Sequence, residues 1–357
     1  MKKRNFKKII VILLFLFIIL ISIKDINILD ITNIYMYKFS DPIDKNGMIN
    51  NYYFNISKEG KNPEETTKGI NKAISYANKN NIKYIQFERG EYCITGYGRN
   101  GQIGIEVTSN IKINFNGAKI FQEINSSEHY TTMSINKSNN VEIENVNVIG
   151  DKESHDYGEG NSLHDDGMGI RIQASNNVKI NNINITNMTG DGIIIAYGAK
   201  NVNVMNTTIS NCRRQGISVV EGEDIHIHNN EIFDIKGVGP QALIDIETFQ
   251  EGKYVKNVDI YENKFYNSNS NTAILLYSGG ENISIYNNEI NGSVHIYNII
   301  GMISINNNYL SNGYIKTFDL SKFNIDNIEI INNKLNKYYM EITKFNTVNM
   351  KNNIEID

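Results

Sequence analysis

The sequence predicts an all-β fold, a parallel β-helix in which the chain winds into a solenoid of about ten coils. One phrase returns ten times between residue 110 and the C-terminus of the 357-residue chain. It consists of a turn Asn or Asp, alternating β-branched and polar residues, then Asn and another apolar pair. The composition agrees, because three Pro, no Trp, 21 Tyr and abundant Ile, Val and Asn favour strands closed by Asn-rich turns.

The chain begins with the residue order of an export signal. Residues 1–8 carry five positive charges and no acid, and residues 9–23 are apolar except for one Ser. No small-residue cleavage site follows, so 9–23 is predicted to remain as a single-pass anchor in the cell membrane. The basic residues place 1–8 in the cytoplasm, with residues 24–51 as a linker and 52–357 as a β-helix domain outside. A secreted protein with a cleaved signal is the alternative.

The charge of the external part bears on its partners. The formal net charge of −4 includes the five positive charges of residues 1–8, and residues 9–23 carry none. Residues 24–357 therefore carry a formal net charge of −9. Such a surface repels nucleic acid, which we exclude as a partner.

The spacing of the repeats favours a β-solenoid, and the alternation within each repeat indicates which residues face inward. The copies begin at residues 110, 140, 177, 201, 224, 257, 282, 301, 327 and 347. Unequal spacing excludes rigid helical repeats but suits β-solenoid coils, whose loops vary in length. Strand alternation places Ile225 and Ile227 inside and predicts that His226 and His228 are solvated. The recurring Asn predicts left-handed turns and a ladder of side chains between coils.

A helix is predicted before the repeats, over residues 63–80. Its apolar face consists of Ile70, Ala73, Ile74 and Ala77. The strand-like segment IKYIQFERGEYCI follows the helix. This order resembles the N-terminal cap of pectate-lyase-like β-helices, and the resemblance covers roughly residues 52–357. It implies a right-handed parallel β-helix with a short N-terminal capping helix.

Four consecutive coils between residues 161 and 250 depart from the plain repeat. They read HDDGMGIRI, TGDGIIIAYG, CRRQGISVVEG and GPQALIDIET. Counting back from the next repeat aligns Asp166, Asp191 and Arg214 within about one residue on neighbouring coils, which lie about 4.8 Å apart. Alternation then predicts a set of outward-facing residues beside them: Arg171, Ile194, Ser218, Asp245 and Glu247.

These coils supply a candidate catalytic set: Asp166, Asp191, Arg213, Arg214, Asp245 and Glu247. Two carboxylates about 5 Å apart suit a nucleophile with an acid/base partner, and a wider pair suits an inverting hydrolase. Crowded carboxylates also raise each other's pKa, which keeps one of them protonated near neutrality. The Arg pair would bind a uronate carboxylate, or an Arg would assist C5 proton removal by a lyase. The neighbouring substrate-binding candidates are Asp165, Arg171, Gln215 and Ser218.

The same coils partly resemble polygalacturonase-type glycoside hydrolases. The family's motifs have counterparts in Asp165-Asp166-Gly167, Gly190-Asp191-Gly192 and Gln215-Gly216-Ile217-Ser218. This chain departs from the family pattern in three ways, with Gln215 in place of His, one acid at position 191 and no R-I-K motif. Calcium-dependent lyases of the same superfamily cluster acids beside Arg. The acids Asp166, Asp191, Asp245 and Glu247 would offer calcium hard oxygen ligands of that kind.

The function expected from these residues is cleavage of a uronate-bearing polysaccharide by elimination or hydrolysis. Two alternatives stay open, a polysaccharide epimerase and a non-catalytic glycan-binding or adhesin-type solenoid. A structural explanation also applies to the cluster itself, because Asp-Gly pairs form turns and Arg–Asp contacts neutralise a stack. In the insertion 149–167, His155, Glu159 and His164 are interpreted as loop polar residues that form a wall beside the site.

Overall fold

The computed structural model describes residues 41–96, 103–158, 164–248, 253–266, 269–318, 325–336, 340–342 and 345–356. The segment 9–23, predicted as a membrane anchor, lies outside this part of the chain. Within the described part, no helix is long and apolar enough to cross a membrane.

In the part of the chain that the structure describes, two helices precede a long series of strands. The helices are α1 (Asn51–Phe54) and α2 (Pro63–Lys79). The strands are β1 (Tyr84–Gln86), β2 (Glu91–Ile94), β3 (Ile103–Val107), β4 (Ile111–Gln122), β5 (His129–Asn136), β6 (Asn139–Ile149), β7 (Asp166–Gln173), β8 (Asn176–Thr186), β9 (Ile193–Ala196), β10 (Ala199–Met205), β11 (Thr208–Ser210), β12 (Ile217–Val219), β13 (Gly222–His228), β14 (Glu231–Phe233), β15 (Ile244–Ile246), β16 (Val255–Tyr261), β17 (Lys264–Tyr266), β18 (Thr272–Tyr286), β19 (Glu289–Asn291), β20 (Ser293–Asn306), β21 (Tyr309–Ser311), β22 (Ile315–Thr317), β23 (Ile325–Ile331), β24 (Lys334–Asn336), β25 (Met340–Glu341), β26 (Phe345–Lys351) and β27 (Ile354–Ile356).

The strands stack in three faces around one apolar core, and each strand pairs in parallel with the strand of the next coil. The repeat phrase forms the first face, from β1 through β4, β6 and β8 to β26. A second face runs from β2 to β27. We call the third the site face: β3, β5, β7, β9, β12, β15, the first halves of β18 and β20, then β22 and β25. The predicted parallel β-helix architecture is confirmed.

The repeat register also agrees with the prediction. Ile225 and Ile227 are fully buried, as expected from strand alternation. One predicted boundary is off by one residue: the repeat assigned to begin at Gly301 begins at Met302, because Met302 pairs with Asn327 at the start of the next repeat. His226 and His228 face outward, as predicted, and are partly exposed. Both also contact the next coil: His226 Nδ1 lies 3.1 Å from an Asp259 oxygen, and the His228 ring stacks on Tyr261.

Two kinds of Asn close the coils. Asn287, Asn307 and Asn332 adopt left-handed backbone conformations, which Asn tolerates better than most residues. The Asn that follows each of them turns into the solenoid and forms a ladder. Asn288 Nδ2, for example, donates to Asn308 Oδ1 at 2.9 Å. The members of this ladder are Asn230, Asn263, Asn288, Asn308, Asn333 and Asn353. The predicted ladder between left-handed Asn residues is also present, since Asn282 Nδ2 donates to Asn257 Oδ1 at 3.2 Å. The groups of the inward ladder satisfy backbone carbonyls as well.

Helix α2 covers the N-terminal end of the solenoid. Its four predicted apolar residues are at most 1% exposed. Asn71, on the same helix, accepts from Glu106 N at 2.9 Å and donates to Gly104 O at 2.8 Å. These bonds satisfy the edge of β3, which would otherwise present unpaired backbone groups. Ile43 and Ile49 also pack into the core.

Candidate functional site

The charged cluster of the site face lies on β7, β9, β12 and β15. Inward-facing Ile pairs hold these strands in register, for example Ile193 beside Ile217 and Ile217 beside Ile244. Between them the outward column runs Arg171, Ile194, Ser218 and Asp245 on successive coils. The alternation predicted from the sequence is correct for this column.

The outward column is not solvated as predicted. Ser218 and Asp245 are fully buried, although they point away from the core. The reason is Gln215, which precedes β12 and folds back across both: its Nε2 donates to Asp245 and its side-chain oxygen contacts the Ser218 hydroxyl. Glu247, two residues after Asp245, retains 15% side-chain exposure.

The predicted stack of Asp166, Asp191 and Arg214 needs a second correction. Ile170 pairs with Ile193, and extending this register backwards puts Asp191 level with residue 168, two residues beyond Asp166. The shift between Asp191 and Arg214 is one residue, as predicted. The predicted alignment was counted back from the repeat that follows each strand. It was shifted because the loops between strand and repeat differ in length.

Arg214 bridges two acids of the cluster, Asp191 and Glu247. Its Nη1 donates to Asp191 Oδ2 at 3.2 Å, and its Nη2 donates to Glu247 Oε1 at 3.3 Å. Ser218 Oγ donates to the same Asp191 oxygen at 2.6 Å. Asp191, Ser218, Gln215 and Asp245 thus form one buried chain of contacts that Arg214 covers.

Burial shifts the protonation of these acids. It raises the pKa of Asp191 to about 6, although Arg214 and Ser218 lower it, and the charges of Asp166 and Glu247 raise it further. The pKa of Asp245 is also raised by burial, then by Glu247 and Asp191. Burial raises the pKa of Glu247 as well, against the pull of Arg214.

Two oxygens in the cluster stand out. Asp191 Oδ1 and Asp245 Oδ1 are buried without a hydrogen-bond partner among the described residues. A buried ionised oxygen without a partner is costly, so these are the atoms on which a proton would reside.

A pocket of about 430 Å³ opens beside this cluster. Its floor is apolar, formed by Met168, Ile194, Ala196 and Val220, which pack together separately from the main core. Charged and aromatic side chains form its rim: Asp165, Asp166, Arg171, Tyr197, Arg214, Glu221 and Lys253. Apolar floors with a few converging polar groups are typical of small-molecule and sugar sites.

The predicted residues are therefore divided between two layers. Asp165, Asp166, Arg171 and Arg214 line the pocket. Behind Arg214 lies the second layer, consisting of Asp191, Gln215, Ser218, Asp245 and Glu247. In the first layer Asp166 forms an ion pair with Arg171 and lies 3.1 Å from His129 Nδ1.

Arg213 does not join the site, contrary to the prediction of an Arg pair. Its guanidinium lies 4.6 Å from the centre of the Tyr157 ring and donates to His164 O at 3.2 Å. Successive residues of the turn before β12 point in different directions, so only Arg214 reaches the acids. Arg213 instead holds the insertion 149–167 against the solenoid.

The insertion contains a buried hydrogen-bonded chain that the sequence analysis missed. His155 Nδ1 lies 2.8 Å from Asp151 Oδ2, and His155 Nε2 lies 2.8 Å from His164 Nδ1. Asn125 donates to the same Asp151 oxygen from its backbone and its side chain. His155 and His164 are thus buried structural groups of the wall rather than loop polar residues. Glu159 lies outside the described residues.

Three of the acids considered as calcium ligands contact arginine side chains: Asp166, Asp191 and Glu247. Among the residues that the structure describes, no three His, Cys, Asp or Glu side chains are grouped to hold a metal ion. The guanidinium of Arg214 already lies between Asp191 and Glu247, and Arg171 contacts Asp166.

Comparison with known proteins identifies the family. Residues 72–290, more than half of the chain, match the family described as right handed beta helix region, and the chain belongs to it. The curated relatives include the SPbeta prophage-derived uncharacterized protein YorA of Bacillus subtilis, which is 29% identical over 229 residues. That match covers 56% of this chain and 39% of YorA, so the chain spans about two fifths of its relative.

Several solved structures share the fold at low sequence identity. The surface adhesin PfbA of Streptococcus pneumoniae is 13% identical with a TM-score of 0.59, covering 85% of this chain and 90% of its own. Polygalacturonase from Erwinia carotovora is 13% identical with a TM-score of 0.58, covering 84% and 92%. The A-module of the Azotobacter vinelandii mannuronan C-5 epimerase AlgE6 is 13% identical with a TM-score of 0.55, covering 85% and 98%. At this identity the likeness shows the fold alone.

Proposed function

We propose that the chain hydrolyses a uronate-bearing polysaccharide in the pocket of the site face. The observation that carries the proposal is the contrast between Asp166 and Asp191 on neighbouring coils. Asp166 lines the pocket in an ion pair with Arg171, while Asp191 is buried with a pKa of about 6. Two carboxyl groups in such different environments suit the roles of carboxylate and proton donor.

The state of Arg214 favours hydrolysis over elimination. Burial opposes its charge, but Asp191 and Glu247 outweigh this and raise the pKa of Arg214. A guanidinium held in its charged form cannot accept a proton from C5 of a uronate. Asp191, in contrast, titrates near the pH at which general acid–base catalysis is most effective.

Arg214 also controls access to Asp191. It lines the pocket, and Asp191 lies behind it with no exposed surface. A uronate carboxylate would engage the guanidinium in two parallel hydrogen bonds and draw it toward the pocket. This movement would uncover the buried Asp191 carboxyl so that the glycosidic oxygen can reach it, while the apolar floor holds the carbon-bound face of the sugar.

The comparisons support a sugar polymer as the substrate. Two proteins of this fold are named for action on polyuronates, one a polygalacturonase and one a mannuronan epimerase. The N-terminal residues 1–23 support a position outside the cell membrane, where such polymers occur.

The test is incubation of the full chain with polygalacturonate, alginate and a neutral glucan. Hydrolysis releases reducing ends without a new ultraviolet absorbance, and Asp191→Asn and Asp166→Asn should each lower turnover about a hundredfold. The control is Asp224→Asn, since neighbouring coils already carry Asn at this repeat position.

Each other outcome refutes the proposal in a distinct way. Products that absorb in the ultraviolet would indicate elimination. Exchange of the C5 proton without chain cleavage would indicate an epimerase. Binding without any conversion would indicate an adhesin-type solenoid, and equal activity of the Asp191→Asn variant would place the chemistry elsewhere.

A further inference from the structure

An aromatic column extends the site face beyond the acids. The register pairs Asp245 with Leu275, Leu276 with Ile296 and Ile296 with Thr317. The outward residues that follow on successive coils are therefore Glu247, Tyr277, Tyr297 and Phe318. Three coil spacings of about 4.8 Å place Phe318 about 14 Å from Glu247 along the solenoid axis.

The ring at the start of this column is oriented differently from the others. Tyr297 and Phe318 stack at 4.4 Å with planes 5° apart, whereas Tyr277 is tilted by 54° from Tyr297 at 5.5 Å. Tyr277 is also 48% exposed. It therefore presents part of its ring face to solvent, one coil beyond Glu247.

Aromatic residues in another column of the solenoid behave as a plain ladder. The Tyr261 ring stacks between His228 and Tyr286, with planes 6° and 2° apart. A ladder of this kind covers the ring faces by its own stacking. The tilt of Tyr277 is thus not imposed by coil stacking alone.

The position of Tyr277 fits a sugar polymer that runs along the solenoid axis. Sugar rings pack their carbon-bound hydrogens against aromatic faces, and aromatic rings are frequent in ligand sites. Farther along, Lys316 lies 5.2 Å from the centre of the Phe318 ring and 2.7 Å from Glu341.

We propose that Tyr277, backed by Tyr297 and Phe318, is a distal subsite for further sugar units of the polysaccharide that occupies the pocket. The polymer then crosses the acidic cluster and lies parallel to the solenoid axis toward its C-terminal end. This inference rests on the proposed function, because it takes the occupant of the pocket to be a sugar chain.

The test uses galacturonate and alginate oligomers of increasing length with the full chain. In the wild type, kcat/KM should rise with length once an oligomer reaches from the pocket to Tyr277. Tyr277→Ala should remove about tenfold of this gain, on the order of one aromatic contact, and leave the shortest cleaved oligomer unaffected. Tyr277→Phe should retain the gain, because the ring is preserved.

Tyr261→Ala is the matched control, since it removes a stacked ring from another face. It should keep the wild-type dependence on length. If Tyr277→Ala also keeps that dependence while oligomers are cleaved, the subsite is refuted and the proposed function stands. If no oligomer is cleaved or bound by the wild type, both are refuted.

Discussion

Replacement of Asp191 by Asn should change how the stability of the fold depends on pH. The pKa of Asp191 rises from 3.8 to about 6 on folding, because the carboxyl group is buried. An acid whose pKa is raised on folding stabilises the folded state when it is protonated. Its contribution is therefore complete below about pH 4 and is lost as the pH rises through about 6. A shift of about two pKa units corresponds to about 3 kcal/mol.

Urea unfolding at pH 4 and pH 8 measures this effect. Asn has the shape of Asp and can still accept from Ser218, but it cannot ionise. The free energy of unfolding of the Asp191→Asn variant, minus that of the wild type, should therefore be about 3 kcal/mol higher at pH 8 than at pH 4. Asp224→Asn serves as the control on the repeat face. An equal difference between Asp191→Asn and wild type at both pH values would refute the assigned burial of this carboxyl.

Three further predictions concern the fold, the wall and the N-terminus. Ile244→Asp should cost several kcal/mol and lower the melting temperature, because it buries an unpaired charge in the core, whereas Asp245→Asn should fold; an Ile244→Asp variant of wild-type stability would contradict the inward position of Ile244. Arg213→Ala should speed proteolysis within the insertion 149–167, and an unchanged rate would mean that the contact does not hold this wall. Protein sequenced from its native membrane should retain residues 9–23; a mature N-terminus near residue 25 would contradict the anchor.

The repeating part of the fold could be predicted because it is specified locally. Strand alternation identified the buried Ile pairs such as Ile225 and Ile227, and the αL preference of Asn identified the turns. The separate ladder of Asn288 and its equivalents needed the structure, because adjacent Asn residues in one phrase have different roles.

The sequence predicted most residues of the candidate site but not how deeply they are buried. Outward alternation located Asp245 correctly, yet its burial depends on Gln215, whose side chain crosses to the neighbouring coil. Arg213 and Arg214 are adjacent in a turn, where alternation gives no orientation. Ile194 was an available signal for the apolar floor, because it is an apolar residue at an outward position.

The wall could not be predicted in the same way. Asp151, His155 and His164 meet only after the insertion has folded against the solenoid. No strand period relates them, and their spacing matches no metal or catalytic motif. His129, which contacts Asp166, lies on the preceding coil and was missed because that coil has no other unusual feature.

A crystal structure of the Asp191→Asn protein with an oligomer of galacturonic acid would test most directly whether the pocket binds a polyuronate. We expect a sugar carboxylate within hydrogen-bond distance of Arg214 and a sugar ring over the Ile194 floor. An oligomer bound in order elsewhere on the solenoid, or an empty pocket at concentrations that saturate the wild type, would contradict it.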